Sequence, residues 1–297
     1  MKQMTVSPGR RIKLKNYITD PEEYSLVSHY TQKELHDLSV GIMEDSQSKL
    51  KEAQDKLWAC KKYGLLIVLQ GMDTAGKDGT IKHVISGVNP QGCRVASFKE
   101  PTPREHAHDY LWRHYLELPA RGEIVIFNRS HYENVLVTRV HPEYLEDLPE
   151  HLQYTGNKDF WKERYQDIVA FERHLYRNGT LILKFFLHIS RDEQRRRLID
   201  RLSNEDKYWK ISTADLRERG HWDEYTRVYE EMLSNTSTGH AHWLIVPADD
   251  KKIARALVAY CIATAIGRLK MHYPEVTPAR IKEIKKVREQ LELEQYR

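Results

Sequence analysis

Leu65-Leu-Ile-Val-Leu-Gln70 is an apolar run that enters Gly71-Met-Asp73-Thr-Ala-Gly76-Lys77-Asp78-Gly79-Thr80 and continues into Ile81-Lys-His-Val-Ile85. Strand, Gly-x4-Gly-Lys turn and helix in this order are what a phosphate-binding loop requires. Gly71 and Gly76 let the backbone turn so that successive N–H groups face one concavity, and Gly79 and Thr80 carry the turn into the helix. Lys77 adds a point charge, and the helix N-terminus adds its partial positive end. A chain of phosphates is the natural guest. The bland alternative, a glycine-rich turn beside an exposed lysine, does not account for strand, loop and helix falling in register.

Four further runs, Arg94–Phe98, Ile124–Asn128, Leu181–Ile189 and Trp243–Val246, have the near-continuous apolar character of strands covered on both faces. Between them lie stretches with helical spacing. Thr102-Pro-Arg-Glu105 and Ser190-Arg-Asp-Glu193 have the pattern of capping boxes. The alternation predicts an α/β fold, a P-loop kinase-like three-layer α/β/α architecture on a five-stranded parallel sheet. Residues 1–64 are expected as a helical extension: Thr31-Gln-Lys-Glu34 opens a helix to about Tyr63, with Leu35, Leu38, Ile42, Leu50 and Leu57 for its apolar face. Residues 65–275 form the expected core, with a lid at about 195–222, and 276–297 a solvated helical tail.

Composition narrows the function. Across 297 residues, 47 Lys and Arg face 43 Asp and Glu, so a net charge of +4 gives no reason to expect nucleic acid. Three scattered cysteines suggest neither disulfides nor a zinc cluster, which makes the cytoplasm the expected compartment. No apolar run follows the basic residues near Met1, so no secretory leader is expected. Ala256–Gly267 is too short to span a membrane and reads as a buried helix.

Two features depart from the common phosphate loop. Asp78 follows Lys77 where a Ser or Thr hydroxyl is usual, and Asp73 lies inside the loop. Carboxylates beside phosphates repel them unless a hard cation intervenes, so both read as magnesium ligands or as holders of its water; Asp78 could equally be a helix N-terminal acid. The strand Ile124-Val-Ile-Phe127 ends in Asn128-Arg129-Ser130-His131-Tyr132-Glu133, where Glu133 supplies the carboxylate that Asn128 cannot. Arg129, at the carboxyl end of a central strand, sits where open α/β sheets bind ligands and can fork onto phosphoryl oxygens. His131 reads as a packed, hydrogen-bonded ring. Arg197 and Arg201, four apart on one helix, form a pair that could close over a polyanion. The pairs His106/His108 and His240/His242 lack accompanying ligands and are not read as metal sites.

Taken together, the segment Gly71–Thr80, Asp109-Tyr-Leu-Trp-Arg113, Phe127–Glu133, Phe185-Phe-Leu-His188-Ile-Ser190, Trp209-Lys210 and Pro247-Ala-Asp-Asp250-Lys251 resembles family-2 polyphosphate kinases, from about residue 10 to 275. The Asn-Arg-Ser-His-Tyr-Glu hexapeptide is similar to the class III subgroup, which accepts mono- and diphosphates. The resemblance implies that inorganic polyphosphate gives its terminal phosphoryl to a purine nucleotide, AMP or ADP, with Mg2+ or possible Mn2+. It places Asp73, Lys77, Asp78, Arg129 and Glu133 in the phosphate and metal site. Arg113, Asn128, Arg197, Arg201 and Lys210 are implied as further phosphate or nucleotide contacts, and the assembly as a homo-oligomer, dimer or tetramer. His242, where the family usually has Pro, departs from the pattern. An ATP-dependent nucleoside-monophosphate kinase is the enzyme alternative, and a non-catalytic nucleotide-binding protein the other.

Overall fold

A computed structural model describes residues 2–24, 27, 29–145, 158–210 and 213–294, without the side chains of 158, 207, 209 and 210. In chain order the elements are α1 (Gln32–Cys60), β1 (Gly64–Gly71), α2 (Lys77–Val84), β2 (Cys93–Ser97), α3 (Pro103–His106), α4 (Trp112–Tyr115), β3 (Ile124–Asn128), α5 (Glu133–Val140) and α6 (Lys158–Arg177). They continue with β4 (Thr180–His188), α7 (Arg191–Leu202), α8 (Thr213–Gly220), α9 (Trp222–Thr236), β5 (Trp243–Pro247), α10 (Lys251–Gly267) and α11 (Pro278–Glu294). Short 3-10 turns link several of them.

The five strands pair in parallel in the order β2-β3-β1-β4-β5, as the alternating pattern predicts. Every residue of β1 is buried, so the strand that carries the glycine turn is the most enclosed of the sheet. α1, α2 and α10 pack together on one face, and α5, α6 and α9 on the other, which gives three layers. The strand order reverses at β1, so the loops after β1, β3 and β4 open onto one crevice at the carboxyl edge.

The helix read from Ala256–Gly267 is the inner part of α10, with Val258, Ile262 and Ile266 buried. No helix among the described residues is long and apolar enough to cross a membrane. α1 opens with the full Thr31/Glu34 capping box. Its buried face differs from the expected one: Leu38 is exposed, and Ser39 and Ser46 lie inside with Leu35, Leu50 and Leu57. α1 packs against α10, whose buried residues include Ala254, Ala256, Ala259 and Ala263.

Three other expectations need correction. β2 is not covered on both faces: as the edge strand it leaves Val95 exposed. The Thr102 box is complete but opens only the single turn of α3, and at Ser190 the box is half formed. There the Ser190 N–H donates to Asp249 Oδ1 at 2.8 Å, while Glu193 pairs with Arg196 and Arg197. Residues 1–64 are more than a helical extension. Thr5 bridges antiparallel to Leu244 of β5, Val6 N–H donates to the Trp243 carbonyl at 2.9 Å, and Met4, Val6, Ile12 and Leu14 share the core with the sheet.

Candidate active site

The loop after β1 folds as it does because two positions exclude a side chain or favour its absence. A Cβ on Gly71 would stand 2.8 Å from the Leu187 carbonyl oxygen of β4, too close for any real contact. Gly76, at φ +99°, caps α2 in the left-handed region that glycine reaches without penalty. Between them Thr74 is also left-handed at φ +62°. The turn delivers Lys77 into the crevice, where its Nζ donates to the Gly71 carbonyl at 2.8 Å and to that of Met72 at 3.3 Å.

Burial pushes the Lys77 ammonium below its ordinary range, and Arg129 adds to that; Asp73, Glu133 and Asp78 pull it back. Four charged groups therefore lie within electrostatic reach of Lys77, and Glu133 and Asp73 also act on Arg129. Arg129 is raised, chiefly by Glu133, which more than offsets its desolvation. Its backbone is left-handed at φ +62°, an unfavourable conformation for a residue that carries a Cβ, of the kind that clusters at functional sites. The guanidinium makes no hydrogen bond or ion pair with the described residues and is free to meet a ligand.

Asn128 Nδ2 donates to Asp78 Oδ1 at 2.8 Å, so the residue that cannot carry charge orients one that does. Arg113 donates to the Lys99 carbonyl at 2.9 Å, with Glu105 at 3.6 Å and its guanidinium 5.4 Å from the Phe98 ring centre. Glu133 is among the charges that act on it. Thr80 is buried and returns its N–H to the Gly76 carbonyl at 2.9 Å, while Gly79 leaves room for the Arg255 guanidinium, 2.8 Å from where a Cβ would stand.

The arginine pair of α7 divides. Arg197 is 4% exposed and does not close over anything: Nε bonds Glu193 at 2.6 Å, and Nη1 bonds the Thr74 and Ala75 carbonyls at 3.0 and 2.9 Å. Nη2 reaches the Ala248 and Asp249 carbonyls. In this conformation Arg197 fastens the glycine turn to α7 and to the turn before α10, with its donors directed at protein acceptors. Spacing put it beside Arg201 but said nothing of depth. Arg201 keeps a partly exposed side chain without a hydrogen-bond or ion-pair partner among the described residues. Hence Arg197→Ala should lower unfolding stability by about 1–3 kcal/mol through its orphaned acceptors, while Arg201→Ala leaves the unfolding midpoint in place. Denaturant melts of the two variants check this, and equal destabilisation would contradict it. Lys210 ends a 3-10 turn at Glu205–Lys210, and its side chain lies outside the described residues.

Sequence reasoning missed several neighbours. Gln194 Nε2 donates to the Asp73 carbonyl at 3.1 Å and is held in turn by Arg219 Nη1 at 2.7 Å. Tyr229, on α9, has its hydroxyl pushed well above the tyrosine range, first by burial and then by Glu133. Tyr225, one turn earlier, is raised by burial and its bond to Glu218. Their spacing of four on one helix was the available signal. Among the described residues, no group of three or more His, Cys, Asp or Glu side chains converges to hold a metal ion alone. Asp73, Asp78 and Glu133 are oxygen donors around one cluster of cations, which fits a hard ion that completes its shell with phosphate oxygens and water.

Fold and crevice together define a parallel α/β protein whose strand-end loops gather cations and carboxylates at the carboxyl edge of the sheet. The pattern of the polyphosphate kinase 2 family (PPK2) matches residues 37–276, and the chain belongs to this family of enzymes. It is 46% identical over 291 residues to an ADP-polyphosphate phosphotransferase of Rhodopseudomonas palustris, covering 98% of each chain. An AMP/ADP-polyphosphate phosphotransferase of Meiothermus ruber is 43% identical over 275 residues, covering 93% of this chain and 96% of that protein. The crystal structure of polyphosphate kinase 2 from Arthrobacter aurescens TC1 superimposes with a TM-score of 0.79 at 34% identity, covering 96% of this chain and all of the other.

Proposed function

We propose that this enzyme transfers the terminal phosphoryl of inorganic polyphosphate to ADP and to AMP, reversibly, in the crevice at the Gly71–Thr80 turn. The observation that carries the reading is that the ends of β1 and β3 bring Arg129, Asp73, Asp78 and Glu133 within electrostatic reach of Lys77, with Asn128 bonded to Asp78 at 2.8 Å. The relatives named for polyphosphate and adenine nucleotides support it over an ATP-dependent monophosphate kinase.

In the transfer, the bond between the terminal phosphorus and its bridging oxygen breaks. A bond forms to an oxygen of the acceptor phosphate, and the shortened chain leaves as an anion. The transition state is loose and needs alignment and charge neutralisation more than covalent help. Lys77 and the amides of the phosphate loop hold the transferred group, and Arg129 offsets charge on its equatorial oxygens. Arg201 offers a further cation along the donor. An acceptor phosphate already presents an anionic oxygen, so no general base is required. Asp73, Asp78 and Glu133 would hold magnesium, which would supply neutralising charge to the phosphates. Asn128 fixes Asp78 for that task.

Supplied with magnesium, polyphosphate and ADP but no ATP, the protein should form ATP, detected by luciferase; with AMP it should form ADP and then ATP. Phosphate moving only from ATP to AMP would replace this reading by the monophosphate-kinase one. The proposal includes self-association into a dimer or tetramer, supported by the exposed apolar stripe Ile281, Ile284, Val287 and Leu291 on α11.

A further inference from the structure

Between Arg129 and Glu133 lie Ser130, His131 and Tyr132, each 0% exposed. Each is tied to the interior. Ser130 Oγ accepts from Gln70 Nε2 at 3.0 Å and from the Tyr132 N–H at 3.2 Å. The Tyr132 hydroxyl donates to Glu172 Oε1 at 2.7 Å, and the His131 ring nitrogen Nε2 lies 3.4 Å from the same oxygen. Behind them stands Lys184, in the middle of β4 and opposite Val68 of β1. Its ammonium reaches Glu172 Oε2 at 2.6 Å, the Thr236 carbonyl at 2.7 Å and the Tyr132 hydroxyl at 2.9 Å, so three donors meet three acceptors.

A fully buried ion pair is a poor way to gain stability, because two apolar side chains of similar volume usually do as well or better. This pair has a particular location: it joins β4, α6 and the end of α9 to the segment whose two ends, Arg129 and Glu133, face the crevice. Arg129 must be kept left-handed, and such a conformation persists only where its surroundings over-determine it. Anchoring the next three residues from within supplies that determination.

We propose that Lys184, Glu172 and Tyr132 form a positioning unit that aims Arg129 and Glu133 at the transferred phosphoryl. They touch no substrate and act through the hexapeptide. The inference rests on the active-site reading above, and its test separates the two. Tyr132→Phe unties the hexapeptide while leaving the ion pair, and Lys184→Met with Glu172→Gln removes both charges together so that neither is stranded. Kinetics with polyphosphate and ADP, thermal unfolding, and the same changes placed on Arg129→Lys form the experiment.

The expected result is a folded protein with kcat lowered about 10- to 100-fold, the range for lost outer support of site residues, and KM for ADP changed little. On Arg129→Lys the same changes should cost far less, since the geometry they protect is already lost. Should the double variant fail to fold, Tyr132→Phe decides alone. An impaired Arg129→Lys beside core variants of wild-type kcat, or losses that simply add, would overturn the inference and leave the active-site reading standing. A wild-type kcat in Arg129→Lys would overturn both.

Discussion

Arg129→Ala should lower kcat by about 10³-fold or more while the protein stays folded, the scale on which a single arginine neutralises charge in phosphoryl transfer. The side chain makes no hydrogen bond among the described residues, so its removal orphans no hydrogen-bonding group. The loss should therefore fall on kcat with KM for nucleotide little altered, the signature of an interaction made in the transition state. Steady-state kinetics beside circular dichroism checks it. A variant within a few-fold of wild type would remove Arg129 from the mechanism.

The largest expected effect on stability lies deeper. Lys184→Ala leaves the Glu172 carboxylate fully buried with only Tyr132 and His131 beside it, and breaking such a pair on one side costs about 3–5 kcal/mol. Truncating Lys13, whose 2.7 Å bridge to Glu230 is half exposed, should cost about 1 kcal/mol or less. Urea unfolding of both variants makes the comparison, and similar midpoints would show that water or relaxation compensates the buried charge. The contrast matters for design: the same lysine removed together with the charge of its partner should be tolerated far better.

The centre of the site was legible because its chemistry is local in sequence. The strand, the turn Gly71–Thr80 and its helix are contiguous, and the hexapeptide from the end of β3 to the start of α5 carries Asn128, Arg129 and Glu133 in a single step. The strands were legible for the same reason, the four beyond the edge strand β2 being apolar runs buried in the sheet. What escaped was depth and long-range pairing. Arg197 and Arg201 look alike at a spacing of four, yet only tertiary packing decides that one ends among carbonyl oxygens of two distant turns. Lys184 interrupts an apolar strand, and its partner Glu172 lies on a helix where Asp159, Lys162, Glu163, Asp167, Arg173 and Arg177 are exposed; the conflict with burial was visible, but its resolution was not. Thr5 pairs with a strand some two hundred and forty residues away, beyond any periodicity argument.

The central claim is that phosphoryl groups pass from polyphosphate to nucleotide at the turn held by Lys77. Its most direct measurement is transfer of label from ³²P-polyphosphate to ADP, with magnesium and no ATP, in the wild-type protein and in Lys77→Ala. Labelled ATP from the wild type and at least about a hundredfold less from the variant is the expected outcome, given the worth of one charge-stabilising donor. No label in wild-type ATP, or equal label from both proteins, would contradict it.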